Sequence, residues 1–112
     1  MIHKIGEFYK KFYLIGPKIG KRDRHGIYLK IETQILDILG LTIEASFAVR
    51  SIKLTYLFSA RIKIEVVKRL IRLASELEII KSDKYIEFES DLQEISKMTN
   101  GWIRYLQQGS SQ

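Results

Sequence analysis

The spacing of apolar residues constrains the fold of this chain more than any other feature. Along almost the whole sequence, isoleucine, leucine, valine and phenylalanine recur at alternating steps of three and four residues. This period places them on one face of an α-helix, whereas a half-buried strand would show a period of two. The chain is therefore predicted to be all-α.

Two helices are predicted in the N-terminal half. Pro17 should end or kink the first helix at about residue 16, because proline lacks a backbone donor and clashes with the preceding turn. The second helix is expected to start at Asp23 or shortly after, with this carboxylate capping its free N–H groups. It should run to about Val49.

Two further helices are predicted in the C-terminal half. The third is expected to start between Ser51 and Tyr56 and to run to about Glu78. The fourth follows a short turn, with Ser82 or Asp83 as its N-cap. Four helices with short connections favour an antiparallel up-down-up-down four-helix bundle.

Length and composition agree with a single domain. The chain has 112 residues, and one core usually occupies roughly 100 to 150 residues. We expect the bundle to take residues 1–108 and residues 109–112 to be a frayed tail. The sequence has no cysteine and no apolar stretch of about 18 residues. A cytoplasmic protein without a disulfide or a membrane span is therefore expected.

The second and third helices each carry two adjacent apolar stripes, which together are wider than one neighbouring helix can cover. Either the second helix is central to its own bundle, or part of it is buried against another subunit. The second stripe of the second helix contains Leu36, Leu39, Ile43 and Phe47. The second stripe of the third helix contains Ile62, Val66, Leu70, Leu73 and Leu77. These faces predict a homo-oligomer.

Basic residues are concentrated in two segments of a chain with net charge +6. Residues 1–30 hold eight Lys/Arg against two Asp/Glu, and residues 53–81 hold seven against three. Within the first segment, Lys21, Arg22 and Arg24 crowd a short turn at residues 21–26, which we call the basic turn. Such a corner attracts polyanions. The alternative is a solvated turn that caps the next helix.

The second segment places its cations on one side of the third helix. Arg61, Lys68 and Arg72 are spaced by seven and four residues, so their side chains project in similar directions. Together with Arg69 they form what we call the basic stripe, which suits a phosphate backbone. Two glutamates within one helical turn of these cations leave a salt-bridged, solvent-facing stripe as the alternative.

Residues that could support catalysis or bind a metal do not form a recognisable pattern. Two histidines without cysteine cannot build a zinc site of the usual spacing, and the glycines do not form a phosphate loop. The carboxylates Glu87, Glu89, Asp91 and Glu94 lack the Glu-x-x-His pair of di-iron bundles, so we interpret them as the polar outer face of the fourth helix. The signature of small helical HEPN ribonucleases, an arginine followed by four to six residues and a histidine, is also absent before His25. A non-catalytic protein without cofactor or metal is expected.

Gly101 interrupts a helical pattern that continues through Trp102, Ile103 and Leu106. Glycine inside a helix costs roughly 1 kcal/mol relative to alanine. Close approach of a neighbouring backbone, or the end of the helix, would each account for it.

Three runs of residues, in order, resemble a known family. They are KRDRHGIY at 21–28, KRLIRLA at 68–74 and ISKMTNGWI at 95–103. They are similar to the four-helix-bundle proteins of the accessory variability determinant type, whose relatives include bundles encoded by intervening sequences of ribosomal RNA genes. The resemblance covers nearly the whole chain. One departure is Gly20, where many members carry proline just before the basic turn.

The resemblance implies an accessory protein of a diversity-generating retroelement. Such proteins look like homopentamers that bind RNA and DNA with little sequence preference and associate with the reverse transcriptase of the element during mutagenic cDNA synthesis. By motif position, the matching nucleic-acid-binding residues are Lys21, Arg22, Arg24, Lys68 and Arg72.

Two other functions stay open at this point. The chain is alternatively an oligomeric scaffold or adaptor that binds protein only, as the ribosomal-intervening-sequence relatives suggest. Binding to an anionic membrane surface is less favoured, because the basic residues flank apolar seams that the core needs.

Overall fold

Four long helices make up most of the chain in the computed structural model, which describes residues 1–110. They are α1 (Ile2–Ile15), α2 (Ile27–Phe47), α3 (Arg50–Glu76) and α4 (Ser82–Ser110). A 3-10 turn at Gly16–Lys18 and a single helical turn at Lys21–Arg24 connect α1 to α2. No strand occurs within the described range. The prediction of an all-α, four-helix fold is confirmed.

The connection between α1 and α2 differs in part from the prediction. α1 ends at Ile15 and Pro17 lies in the 3-10 turn, as its missing donor and fixed φ require. The expected start of the second helix at Asp23 was wrong. The long helix begins at Ile27, because the backbone of Gly26 (φ −108°, ψ −111°) leaves the helical region and separates the basic turn from α2. Asp23 therefore does not cap α2.

The other helix ends lie close to their predicted positions. α3 starts at Arg50, one residue before the expected interval, and ends at Glu76. In the turn that follows it, Glu78 has a left-handed backbone conformation with φ 61°. α4 begins at Ser82, so both predicted caps fall inside its first turn. The tail prediction stays untested, since α4 extends to Ser110 and residues 111–112 lie outside the described residues.

Burial follows the helical spacing of the apolar residues. In α3 the buried residues form one seam, which consists of Leu57, Ala60, Ile64, Val67, Ile71 and Ala74. Aromatic rings join three helices at one level of the core. Phe12 of α1 stacks on Tyr28 of α2 with ring centroids 4.6 Å apart, and its centroid lies 5.7 Å from that of Phe88 on α4. Phe8 meets the same Phe88 ring edge to face at 5.6 Å. The aromatic cluster therefore fixes where α1 sits.

The remaining contacts are those expected of antiparallel neighbours. Tyr9 of α1 donates to Glu32 of α2 at 3.2 Å, and Lys63 of α3 lies 3.6 Å from Asp37 of α2. Lys53, near the start of α3, donates to the carbonyl oxygen of Ala45 near the end of α2 at 2.8 Å. The up-down-up-down order stays a prediction, which these contacts support.

α1 is much shorter than the other helices, and this divides the core in two. The Thr99 hydroxyl lies 3.5 Å from the Met1 sulfur, which places the start of α1 beside the middle of α4. Beyond that level α2, α3 and α4 enclose a separate cluster of Ala45, Leu57, Ile103 and Leu106. The molecule is accordingly elongated, with principal extents of 52 × 21 × 19 Å.

A buried carboxylate ties α1 to α4. Lys4 donates to one oxygen of Asp91 at 3.0 Å and Lys11 to the other at 3.1 Å, while Asp91 is only 7% exposed. The hydrogen bonds that Lys4 donates to Glu94, and then to Asp91, raise the pKa of Lys4. The interpretation of these carboxylates as an outer polar face was therefore wrong for Asp91. The helical period alone does not reveal that two lysines of α1 reach over it.

Replacing Asp91 should loosen α1. In Asp91→Asn the amide can accept from one lysine but turns its NH₂ group toward the other. We expect the free energy of unfolding to fall by about 1.5–3 kcal/mol, the usual value of hydrogen bonds to charged groups. Urea unfolding followed by circular dichroism measures it. The control Glu94→Gln changes the other partner of Lys4, whose side chain is 55% exposed, and should cost less than about 1 kcal/mol because water screens that carboxylate. Equal losses of unfolding free energy in the two variants would contradict a special role of Asp91 in holding α1 against α4.

Gly101 lies in the interior of α4, and neither explanation offered for it holds. The residue is exposed, a Cβ added there would meet nothing within 4 Å, and the helix continues past it. No packing of this chain therefore requires glycine at the position.

Gly101→Ala should raise the free energy of unfolding by up to about 1 kcal/mol, because alanine restricts the unfolded chain and has the higher helix propensity. Gly16→Ala is the opposite control, since its Cβ would lie 2.8 Å from the Tyr28 hydroxyl oxygen. Melting temperatures should rise for the first variant and fall for the second. A lower melting temperature for Gly101→Ala would show a packing role that the single chain does not contain.

Candidate nucleic-acid interface

The predicted nucleic-acid-binding residues all reach the surface, but they form two separate clusters. Lys68 is partly buried, and the remaining six are exposed: Lys21, Arg22, Arg24, Arg61, Arg69 and Arg72. The basic turn lies between α1 and α2, whereas the basic stripe lies on the side of α3 that faces α4. The two clusters line different cavities.

The basic stripe forms one wall of an open groove between α3 and α4. Lys68, Arg69 and Arg72 line this groove, whose volume is about 550 Å³. Burial of the seam of α3 positions them, because a helix that buries one face must turn the adjoining face toward its neighbour and the solvent. An arginine guanidinium offers several donors in a planar fork that matches phosphate oxygens. The groove can therefore hold a phosphate backbone.

Carboxylates moderate the charge of the stripe. Lys68 pairs with Glu65 at 3.2 Å, an i,i+3 pair at the surface, and such pairs contribute little because water screens them. Glu76 and Glu89 also line the groove. The salt-bridged alternative is thus realised for Lys68, while Arg69 and Arg72 remain exposed beside it.

Aromatic side chains lie beside the cations of the basic stripe, which the sequence pattern did not indicate. The Arg61 guanidinium lies 5.1 Å from the centre of the Phe58 ring, a cation–π contact that orients it. Tyr85 of α4 lines the groove opposite the cations of α3. A hydrogen bond with Glu89, followed by burial, raises the pKa of Tyr85. Alternation of aromatic and basic residues across two helices is the signal for such a site, but it appears only after folding.

Backbone hydrogen bonds hold the basic turn in a single turn of helix. The backbone N–H of Arg24 donates to Gly20 at 2.9 Å and that of His25 to Lys21 at 3.2 Å. These bonds close a single helical turn with three exposed cationic side chains, Lys21, Arg22 and Arg24. The charges are therefore held close together by backbone geometry.

A cavity of about 350 Å³ lies beside this turn, between the end of α1 and the start of α2. Its position depends on Tyr28, whose hydroxyl donates to the carbonyl oxygen of Phe12 at 2.8 Å. Burial, followed by the nearby charge of Glu32, raises the pKa of Tyr28 to about 12, so the hydroxyl keeps the proton that it donates. Gly16 allows this close approach, because any Cβ there would meet the Tyr28 hydroxyl.

The comparison with known families agrees with this arrangement. A model of the family described as bAvd-like matches residues 1–106 of the chain. The chain belongs to the bAvd-like family. In this name bAvd stands for accessory variability determinant, and the family indicates a non-catalytic accessory protein of diversity-generating retroelements. No match was found among curated proteins or among solved structures.

This bAvd-like chain also exposes the second apolar stripes predicted for its two central helices. On α2 the exposed residues are Leu36, Ile43 and Phe47, and on α3 they are Ile62, Val66, Leu73 and Leu77. Leu39 and Leu70 are partly buried against the core or its edge. Phe47 is 87% exposed. Apolar surface of this extent is typical of an interface between proteins.

The described residues contain neither a membrane-spanning helix nor a metal-binding cluster. No helix within 1–110 is long and apolar enough to cross a membrane. The same part of the chain contains no group of three or more His, Cys, Asp or Glu side chains placed to hold a metal ion.

Proposed function

We propose that this bAvd-like protein binds RNA and DNA without strong sequence preference through its basic stripe and basic turn. In the cytoplasm it would associate with the reverse transcriptase of a diversity-generating retroelement and support mutagenic cDNA synthesis. The observation that carries the proposal is the groove between α3 and α4, where Lys68, Arg69 and Arg72 stand side by side. Membership of the family supports the link to the retroelement.

The chemistry of the groove explains why sequence preference should be weak. Lysine and arginine pair with phosphates, which are identical at every nucleotide and position a strand without reading it. Discrimination between bases needs donors and acceptors placed against base edges. A row of cations on one helix face suits the first task.

The exposed apolar stripes support assembly of several copies. A homo-oligomer would cover Leu36, Ile43 and Phe47, and the family resemblance implies five copies. Repetition of the groove around a ring would raise affinity for a long strand, because each further contact is made at high effective concentration.

Light scattering should give the isolated protein a mass five times that of the 13.1 kDa chain at micromolar concentration. Leu36→Glu should lower this mass, since it buries a charge in the proposed interface. The control Gln93→Glu, which adds the same charge at an exposed position of α4, should leave the mass unchanged. A parent protein of 13.1 kDa would refute the assembly.

The double change Lys68→Ala and Arg72→Ala should weaken binding to unrelated RNA and DNA strands by similar factors. Each phosphate contact to a single strand contributes about −0.7 to the slope of log K against log salt, so the slope should flatten. Fluorescence anisotropy at several salt concentrations measures both effects. Helicity and mass should not change, since neither residue belongs to the buried seam of α3.

A matched control removes the same charge elsewhere. Lys97→Ala with Arg104→Ala takes two exposed cations from α4 outside the groove. This variant should retain most of the affinity. Identical behaviour of the two double variants would mean that only net charge matters and would remove the stripe from the proposal.

A protein-only adaptor is the second candidate function. Glu65, Glu76 and Glu89 offset part of the positive charge beside the stripe, and the exposed apolar stripes suit protein partners. If the Lys68/Arg72 variant binds RNA and DNA as tightly as the parent with the same salt slope, this function takes precedence.

A further inference from the structure

The cavity beside the basic turn differs chemically from the groove of the basic stripe. Its wall is mostly apolar and includes Tyr13, Pro17 and Leu29, while Arg24 and His25 stand at its rim. Tyr13 is 59% exposed and Leu29 is 47% exposed. Such a wall does not stabilise a phosphate, whereas a flat apolar ring can stack against it.

The aromatic wall is preorganised. Tyr13 lies in the last turn of α1, and that turn is anchored because the Tyr28 hydroxyl bonds to the Phe12 carbonyl at 2.8 Å. The Tyr9 ring supports Tyr13 from the preceding turn, with centroids 6.1 Å apart. A ring held in this way loses little conformational freedom when a ligand stacks on it.

The charges around the cavity orient a nucleotide. Glu32 lines the cavity and accepts from the Tyr9 hydroxyl at 3.2 Å, so its carboxylate stays in place and repels a phosphate. The Arg24 guanidinium at the rim attracts one, and Lys21 and Arg22 precede it in the same helical turn. A nucleotide would therefore point its base inward and keep its phosphate outside. The second Glu32 oxygen can accept from an exocyclic amino group or from a ring N–H of the base.

We propose that this cavity binds one unstacked nucleobase of a single strand, with the base on the Tyr13 ring and its phosphate at Arg24. This inference rests on the proposed function and adds a second contact site of a different kind. A duplex keeps its bases stacked, so it can use the cations but not the cavity. The protein should consequently prefer single strands to duplexes of the same sequence.

A second copy of the chain is the competing occupant, since exposed apolar residues also form subunit contacts. The cations at the rim favour the nucleotide, because an apolar subunit interface is normally depleted of charge at its core. Measurement of assembly mass separates the two occupants.

The experiment compares Tyr13→Leu with Tyr13→Phe in the full chain. Leucine keeps apolar volume but removes the ring, whereas phenylalanine keeps the ring and removes the hydroxyl. Anisotropy is measured with a mixed-sequence DNA strand and with the duplex formed from it. Removal of a stacking ring typically weakens single-strand binding by about 5- to 150-fold. We expect a loss in this range for Tyr13→Leu on the single strand, with no change on the duplex, in salt slope or in mass.

Several results would overturn the proposal. One is a Tyr13→Leu variant that binds the single strand as tightly as the parent or loses equal affinity for strand and duplex. Another is a Tyr13→Phe variant that loses as much single-strand affinity as Tyr13→Leu. A lower assembly mass of Tyr13→Leu would identify the ring as a subunit contact. A direct test uses a strand containing 5-iodouracil, which cross-links to a stacked aromatic ring under ultraviolet light. The adduct should map to Tyr13, and adducts confined to other aromatic residues such as Tyr85 would refute the site.

Failure of the cavity and failure of the proposed function can be told apart. If the parent binds strands and responds to the Lys68/Arg72 change but not to Tyr13→Leu, only the cavity is refuted. If the parent binds neither strand nor duplex, both proposals fall.

Discussion

The attachment of the short helix α1 determines where the basic turn and the cavity beside it lie. Phe12 stacks on Tyr28 and contacts Phe88, while Asp91 receives Lys4 and Lys11. The first set of contacts supplies apolar burial and the second sets the rotation of α1, because a buried carboxylate is stable only with its partners in place. With α1 held there, the basic turn, Tyr13 and the cavity beside them have defined positions.

The helical period of α3 produces its core and its candidate interface together. A seam from Leu57 to Ala74 is buried, and the same spacing displays Lys68, Arg69 and Arg72 along the groove beside α4. The remaining face carries Ile62, Val66, Leu73 and Leu77. One helix thus provides a core contact, a cationic groove and an apolar outer surface. The proposals for nucleic-acid binding and for assembly use adjoining faces that meet at Leu73, which is exposed and lines the groove. They can be tested independently, because the assembly variant Leu36→Glu lies on α2.

The two candidate sites differ in charge and in apolar character. The α3–α4 groove combines cations with carboxylates in a polar channel, whereas the α1–α2 cavity combines an exposed ring with cations at its edge. A single strand offers both a phosphate backbone and free base faces, so it alone could use both sites. Such a division of contacts suits an accessory protein that handles single-stranded template or product.

The sequence by itself determined the helices, the buried seam of α3, the end of α1 before Pro17 and the excess of apolar surface, because these follow from spacing within one segment. Only the tertiary structure decided that Asp91 is buried, that Tyr85 joins the basic groove and that the basic turn and basic stripe are apart. These facts depend on which side chains of other helices come near, and no local period contains that information. Gly26 shows the same limit on a small scale: its backbone conformation ends the basic turn and excludes Asp23 from capping α2, and the spacing of apolar residues does not encode this bend.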